Sequence, residues 1–343
     1  MGRAGGAREH EPQQLPVAAP HPFFRSPRVR IHSLVKPRLL VIRGGAIGDF
    51  ILTLPAIRLL REAFPNAHLE ILGYQHIVAL AKGRYYADET RCIEYGAMAG
   101  FFVPRSELAP DLAEYFSSFQ QIVSFLFDPD RFFETNVRRA GAKHFLPAYA
   151  KIDDSEHAAR QLARPLQSLA LYLEEHAATI HLSAADRAFA REFLGESAGP
   201  WMALHPGSGS PKKNWPLERW KELGDRLLAA DPAVELLLVG GEADAAQLAA
   251  LTEAWRGARV RIARDLPLPQ LGAVLERCRC FLGHDSGISH LAAAVGTRCV
   301  LLFGPTDPSI WAPANPAVAV LEAPAGDLDQ LSVSAVFERT VSG

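Results

Sequence analysis

The chain has 343 residues, 48% of them hydrophobic and 22% charged, with a formal net charge of -2. That length suits two domains, each able to bury a core, and the composition is that of a globular chain rather than a fibrous or wholly disordered one. A near-neutral balance excludes a general electrostatic pull toward nucleic acid or membrane, so any such attraction must be local.

Residues 1–36 are rich in Pro, Gly, Ala and charge and read as a disordered extension. Arg25, Arg28, Arg30, Lys36 and Arg38 form a basic cluster in it and just after it. The cluster reads either as a solvated tail or as a peripheral contact with anionic lipid, where each cation contributes about 1 kcal/mol. No apolar run approaches the roughly 20 residues that a bilayer crossing needs, and the N-terminal stretch lacks the apolar centre of a secretory signal. Cys92, Cys278, Cys280 and Cys299 show neither a C-x-x-C pair nor zinc-finger spacing. The expectation is therefore free, mostly buried thiols, no structural metal and a cytoplasmic location.

The first predicted strand, residues 38–42, runs into Arg43-Gly44-Gly45-Ala46-Ile47-Gly48-Asp49 and then a helical stretch over 50–64. Ile51, Leu54, Ile57 and Leu60 recur there at helical spacing. Pro55 within that stretch predicts a kink or an irregular first turn. A strand, a glycine loop and a helix suggest the dinucleotide fingerprint, but Arg43 replaces its first glycine and Glu70 falls inside the next strand, 68–72, instead of at its end. Both departures argue against NAD. Asp49, at the mouth of the loop, is either a helix cap or a proton acceptor.

Strand-like runs at 91–95, 121–127 and 142–145 alternate with helical segments, which predicts a mainly parallel sheet covered by helices. Arg131, Arg138, Arg139, Lys143, His144, Lys151, Arg160 and Arg164 crowd the region after it. They form a solvated face or a site for an acidic acceptor. A helix over 166–178 leads to a boundary at 198–200, closing a first domain of residues 37–198.

The second domain, 199–325, opens with a strand over 201–204 and a loop over 205–216. That loop carries glycines, Ser208, Lys212 and Lys213, the means of neutralising a pyrophosphate, although a plain polar loop has the same composition. Pro216 suits the first turn of a helix over 217–229. After the apolar strand 234–239 comes Gly240-Gly241-Glu242. Glu242 is placed either to meet ribose hydroxyls at a strand's carboxyl end or to serve as a first-turn acid. A strand over 260–263 and a helix over 269–277 precede residues 281–308, FLGHDSGISHLAAAVGTRCVLLFGPTDP. This stretch reads as a strand, a turn, a short helix over 288–295 and a second strand over 299–303. The helix start after Asp285-Ser286-Gly287 suits an anion, and His290, one turn beyond Ser286, can face it. In the alternative, Asp285 or Ser286 merely caps the helix and His290 is a core histidine. Residues 326–343 form a tail with a helix over 331–341.

Taken together, RGGAIGD at 43–49, KNWP at 213–216, DSGISH at 285–290 and FGPTDP at 303–308 resemble the motifs of glycosyltransferase family 9, the lipopolysaccharide heptosyltransferases. The resemblance spans residues 37–325. It implies the α/β GT-B architecture, two Rossmann-like domains facing across a cleft, with the acceptor on the first and the sugar nucleotide on the second. It further implies an inverting glycosyltransferase that moves a heptose or similar sugar from a nucleoside diphosphate donor, ADP-heptose, to a sugar hydroxyl of a lipopolysaccharide-type glycolipid or oligosaccharide. By motif, Asp49 matches the catalytic base and Lys213 the lysine that neutralises the departing diphosphate. Glu242 matches an acid near the ribose and Asp285 the aspartate close to the donor sugar, while Ser286, Gly287 and His290 surround the phosphates; Ser208, in the pyrophosphate-type loop, is counted with the donor-binding residues. The cationic loop takes the place of a metal, so no cofactor is expected. Residues 83–178 carry no motif, which leaves the acceptor-binding residues unassigned. Two alternatives remain: another GT-B enzyme, transferase or epimerase, acting on a different nucleotide sugar, or a binding protein that keeps the fold without turnover.

Overall fold

A computed structural model describes residues 36–195 and 199–342. The basic tail at Arg25, Arg28 and Arg30 lies outside the described residues. Arg38, assigned to that tail from sequence, is instead built into the fold: its guanidinium bonds Ser118 Oγ at 2.8 Å and pairs with the buried Glu70 at 3.1 Å. Among the described residues, no helix is long and apolar enough to cross a membrane.

Two parallel sheets organise the chain. The first holds β1 (Arg38–Arg43), β2 (His68–Gly73), β3 (Glu89–Cys92), β4 (Gln121–Ser124) and β5 (Phe145–Pro147), in the order β3-β2-β1-β4-β5. The second holds β6 (Trp201–Leu204), β7 (Glu235–Gly240), β8 (Val260–Arg264), β9 (Cys280–His284), β10 (Cys299–Phe303) and β11 (Val318–Glu322), in the order β11-β10-β9-β6-β7-β8. Strand alternation explains how each sheet is covered on both faces. Leu39 and Val41 enter a large core shared by both halves, while Leu40 and Ile42 face a separate aromatic core with Phe101, Phe116 and Phe133. The second sheet divides in the same way, with Leu237 and Val239 on the shared side and Leu236 and Leu238 on the other.

In each sheet the strand order reverses once, between β1 and β4 in the first and between β6 and β9 in the second. Loops at the carboxyl ends of such neighbouring strands diverge to opposite faces and leave a crevice. The two crevices supply the elements of the site.

Some elements depart from the sequence reading. The helix Ile47–Ala63 continues through Pro55. In its first turn the Asp49 carbonyl accepts hydrogen bonds from Thr53 Oγ1 at 2.7 Å and Arg43 Nη2 at 3.1 Å. The helix expected over 166–178 is a short 3-10 turn, Arg164–Leu169, which ends where Ala170 takes a left-handed backbone. The helix Ala184–Leu194, on the first-domain side of the expected boundary, packs against Leu268–Glu276 of the second half. The final helix, Val333–Val341, buries Val333 and Val336 in the second-domain core.

Candidate active site

The helix Ile47–Ala63 starts from the glycine loop after β1, and the helix Gly287–Ala294 starts from the turn after β9. Their N-termini meet. A Cβ on Gly287 would lie 2.8 Å from Ile47 Cβ and 2.9 Å from the Gly48 nitrogen, so only glycine permits this approach. Two sets of free N–H groups and two positive dipole ends therefore converge on one place, which suits an anion better than either helix alone.

Around that junction lie three connected cavities. The central one, about 360 Å³, is lined by Asp49 and Gly48 from the first half and by Lys213, Asp285, Ser286 and His290 from the second. A second cavity of about 390 Å³ shares Ser286 and Gly287 with it and extends past Ser208, Gly241 and Asp244. A third, about 520 Å³, shares Asp49 and Trp311 with the central one and runs over the first sheet past Tyr74, Phe127 and Tyr149.

On the first side, Asp49 Oδ2 accepts the Ala46 N–H at 2.9 Å, so the carboxylate does cap its helix. Its other oxygen lies 3.7 Å from Arg43, and the side chain is still 44% exposed. Arg43 itself is buried and donates to the Asp49 and Phe125 carbonyls at 3.1 and 3.4 Å, tying together the loops that flank the β1/β4 crevice. Capping and proton acceptance are thus compatible, because one oxygen holds the turn while the group stays open to the cavity.

On the second side, Lys213 Nζ donates to Asp285 Oδ2 at 2.6 Å, and Thr306 Oγ1 donates to the same oxygen at 2.9 Å. The loop holding Lys213 is anchored by Trp215. Its ring is buried, its Nε1 donates to the Leu331 carbonyl at 3.0 Å and its backbone N–H donates to His284 Nε2 at 2.8 Å. His284 Nδ1 lies 3.2 Å from the Gly207 carbonyl and donates to it, so a neutral imidazole staples both arms of the loop. Burial drops the His284 pKa to about 4, which keeps the ring neutral. His290 is likewise pushed down to about 4 by burial, against the opposing pull of Asp285 and Asp49.

Ser286 is the cap of the second helix: its Oγ accepts the Ser289 N–H at 3.3 Å. It also lies 3.4 Å from His205 Nδ1. Ser208 lines the second cavity, its Oγ 2.7 Å from Asn214 Oδ1.

The family model described as "Glycosyltransferase family 9 (heptosyltransferase)" matches residues 138–338, more than half of the chain. The chain belongs to glycosyltransferase family 9. This family 9 chain is 30% identical over 155 residues to lipopolysaccharide heptosyltransferase 1 of Escherichia coli O18:K1:H7, a match covering 44% of this chain and 46% of that protein. Against a lipopolysaccharide heptosyltransferase 3 of Escherichia coli it is 24% identical over 295 residues, covering 78% of this chain and 83% of the relative. Its fold is that of the E. coli ADP-heptose lps heptosyltransferase II structure, with a TM-score of 0.73 at 18% identity, over 89% of this chain and 98% of that one. The GT-B expectation holds: two Rossmann-like α/β halves with a cleft between them.

In this family 9 chain the structure brings Asp49, Lys213, Asp285, Ser286, Gly287 and His290 around one cavity, with Ser208 in the adjoining one. It does not bring Glu242 there. Glu242 is exposed and outside the cavity lining, and the carboxylates that line the second cavity are Asp244 and Asp265. The reason is local. Asp244 turns back to accept the Gly241 N–H at 2.9 Å and lies 3.7 Å from His205, which swings the preceding Glu242 outward. Burial pushes the Asp244 carboxyl up, but His205 and the Gly241 N–H outweigh it and hold the group below the usual range. A Cβ on Gly207 would lie 1.7 Å from Asp244 Oδ1, so that glycine exists to admit the carboxylate. The spacing of Gly241 and Asp244, a cap three residues on, was the available sequence signal. Thr306 and His284 were also missed, although both sit inside or beside the recognised motifs.

Among the described residues, one group has metal-like spacing: His68, Glu70 and Glu89 on β2 and β3. Glu70 there is already satisfied by Arg38, Arg91 and Tyr115, and the group lies outside all three cavities of the cleft.

Proposed function

We propose that the protein is an inverting glycosyltransferase that moves a heptose or closely similar sugar from ADP-heptose to a sugar hydroxyl of a lipopolysaccharide-type acceptor. One observation carries the reading: Asp49 and the Lys213/Ser286 loops, which come from opposite halves, line the same cavity. Family membership and the ADP-heptose named for a structural neighbour support the choice of donor.

The donor diphosphate sits at the paired helix N-termini, with Lys213 and the amides near Ser286 and Gly287 facing the oxygens on which charge grows as the anomeric C–O bond breaks. Preorganised donors at that position are usually the largest catalytic contribution. The acceptor hydroxyl attacks the anomeric carbon from the first-domain side and gives its proton to the Asp49 carboxylate. Asp285, held by Lys213 and Thr306, lies beside the sugar, and Asp244 and Asp265 replace Glu242 as the acids on the nucleoside side. The sugar nucleotide is a substrate, and the reaction as written uses no cofactor. The free thiols of Cys92, Cys278, Cys280 and Cys299 fit a cytoplasmic setting.

The test is ADP release from ADP-heptose in the presence of cell-envelope lipid acceptors. The wild-type protein releases ADP only when donor and acceptor are both present, and Asp49→Ala abolishes release. A preference for UDP-linked donors, or acceptor-dependent release that survives Asp49→Ala, overturns the reading.

A further inference from the structure

The acceptor side of the cleft carries an unusual pair of rings. Phe127, in the loop after β4, and Tyr149, after β5, have their ring centroids 5.1 Å apart at an interplanar angle of 55°, and they are 67% and 43% exposed. Large aromatic side chains left open together call for an explanation that scattered surface residues do not. Both line the 520 Å³ cavity that contains Asp49, and both line a neighbouring cavity of about 290 Å³. They therefore flank the path by which a hydroxyl reaches the proposed base. The charge of the two cavities is equally informative. Their lining carboxylates, Asp49, Asp128 and Glu134, outnumber their guanidinium groups, Arg43 and Arg131.

Neither guanidinium is uncommitted. Arg43 holds the Asp49 and Phe125 carbonyls, and Arg131 pairs with Glu134 at 2.9 Å. The arginines of the neighbouring basic run are spent internally as well. Arg138 pairs with Glu134 at 2.9 Å, Arg139 bonds Asn136 at 2.6 Å, and Arg164 pairs with Glu156 at 2.5 Å. Lys143, His144 and Lys151 are exposed and lie outside the lining of both cavities.

We infer that Phe127 and Tyr149 form the platform on which the acceptor ring rests, and that this platform selects an uncharged sugar ring over a phosphorylated or carboxylated one. A sugar presents an apolar C–H face and a polar rim. The rings take the face, and the rim hydroxyls stay with water and Asp49, the usual division of labour in a pocket that is mostly apolar with a few placed polar groups. An anionic substituent would instead be desolvated beside more lining carboxylates than lining guanidiniums, with both of those guanidiniums already committed. This inference rests on the transferase reading above and names the acceptor class for the same site.

The probes are two synthetic heptosyl disaccharides that differ by one phosphate monoester. Saturation-transfer NMR without donor reads binding, and acceptor-dependent ADP release reads turnover. The neutral disaccharide binds the wild type and the phosphate ester binds more weakly. In Phe127→Ala and Tyr149→Ala the acceptor KM rises about tenfold, the scale of one lost aromatic contact, with kcat and the ADP-induced thermal shift unchanged. Tyr149→Phe restores wild-type binding. The inference is overturned if the wild type prefers the phosphate ester or binds neither probe, or if both alanine variants, still stabilised by ADP, keep the wild-type acceptor KM. Should the neutral probe bind through Phe127 and Tyr149 while no donor is consumed, the transferase reading fails and the platform stands.

Discussion

Lys213 Nζ lies 2.6 Å from Asp285 Oδ2, on the oxygen that also takes the Thr306 hydroxyl. The cation proposed to meet the diphosphate is thus held in place by a carboxylate from the opposite flank of the β6/β9 crevice. An ammonium has three donors, so it can keep Asp285 and still bond a phosphate oxygen. Lys213→Met is expected to lower kcat/KM for ADP-heptose by about 10²- to 10³-fold, the loss typical of one transition-state donor. Steady-state kinetics check this, and a change under threefold would remove Lys213 from the diphosphate.

Asp49 has two separable duties. Asp49→Asn keeps an oxygen for the Ala46 N–H and loses the proton acceptor. Its expected outcome is a drop in kcat of about 10²- to 10⁴-fold with folding stability nearly unchanged. Asp49→Ala loses the cap as well, at a further cost of about 1 kcal/mol in urea unfolding. Equal activity in Asp49→Asn and the wild type would leave the residue with capping alone.

Gly287→Ala pushes a methyl group into Ile47 and the Gly48 backbone. Backbone cannot move aside like a flexible side-chain end, so the two helix N-termini must separate. The expected stability loss is about 1–3 kcal/mol. Activity is expected to fall further than stability explains, by up to about 10²-fold, because the anion site and the base shift relative to each other. Thermal unfolding and kcat measured together test this; wild-type kcat in a destabilised variant would show that the helix junction does not set the reacting geometry.

Acid sensitivity follows from His284. Its folded pKa of about 4 lies below the ordinary value of 6.5, so the folded state resists a proton that the unfolded chain accepts. Stability from this group is complete above pH 6.5 and is lost progressively as pH falls from there toward 4. Between pH 7 and 5 the contribution amounts to roughly 2 kcal/mol. His284→Gln is therefore expected to reduce the loss of stability over that interval by about this amount, read from urea midpoints at the two pH values. An identical pH slope in variant and wild type would show that His284 is not the group responsible.

The sequence by itself determined the local chemistry: apolar runs of strand length, glycine loops at strand ends, a helix start just after Asp285 and Ser286, and the motifs that identify the family. These are short-range features, set by backbone hydrogen bonding and by side chains within a turn of one another. Only the tertiary structure decided which loops share a cavity, since that depends on the reversal of strand order at β6/β9, which brings Lys213 to Asp285, and on the packing of the two halves, which brings Gly48 to Gly287. It also put Asp244 rather than Glu242 in the lining of the second cavity, because the cap on Gly241 and the space left by Gly207 admit that carboxylate. The Phe127 and Tyr149 pair had no motif to announce it: its members belong to separate strand ends and acquire a common face only when β4 and β5 lie side by side.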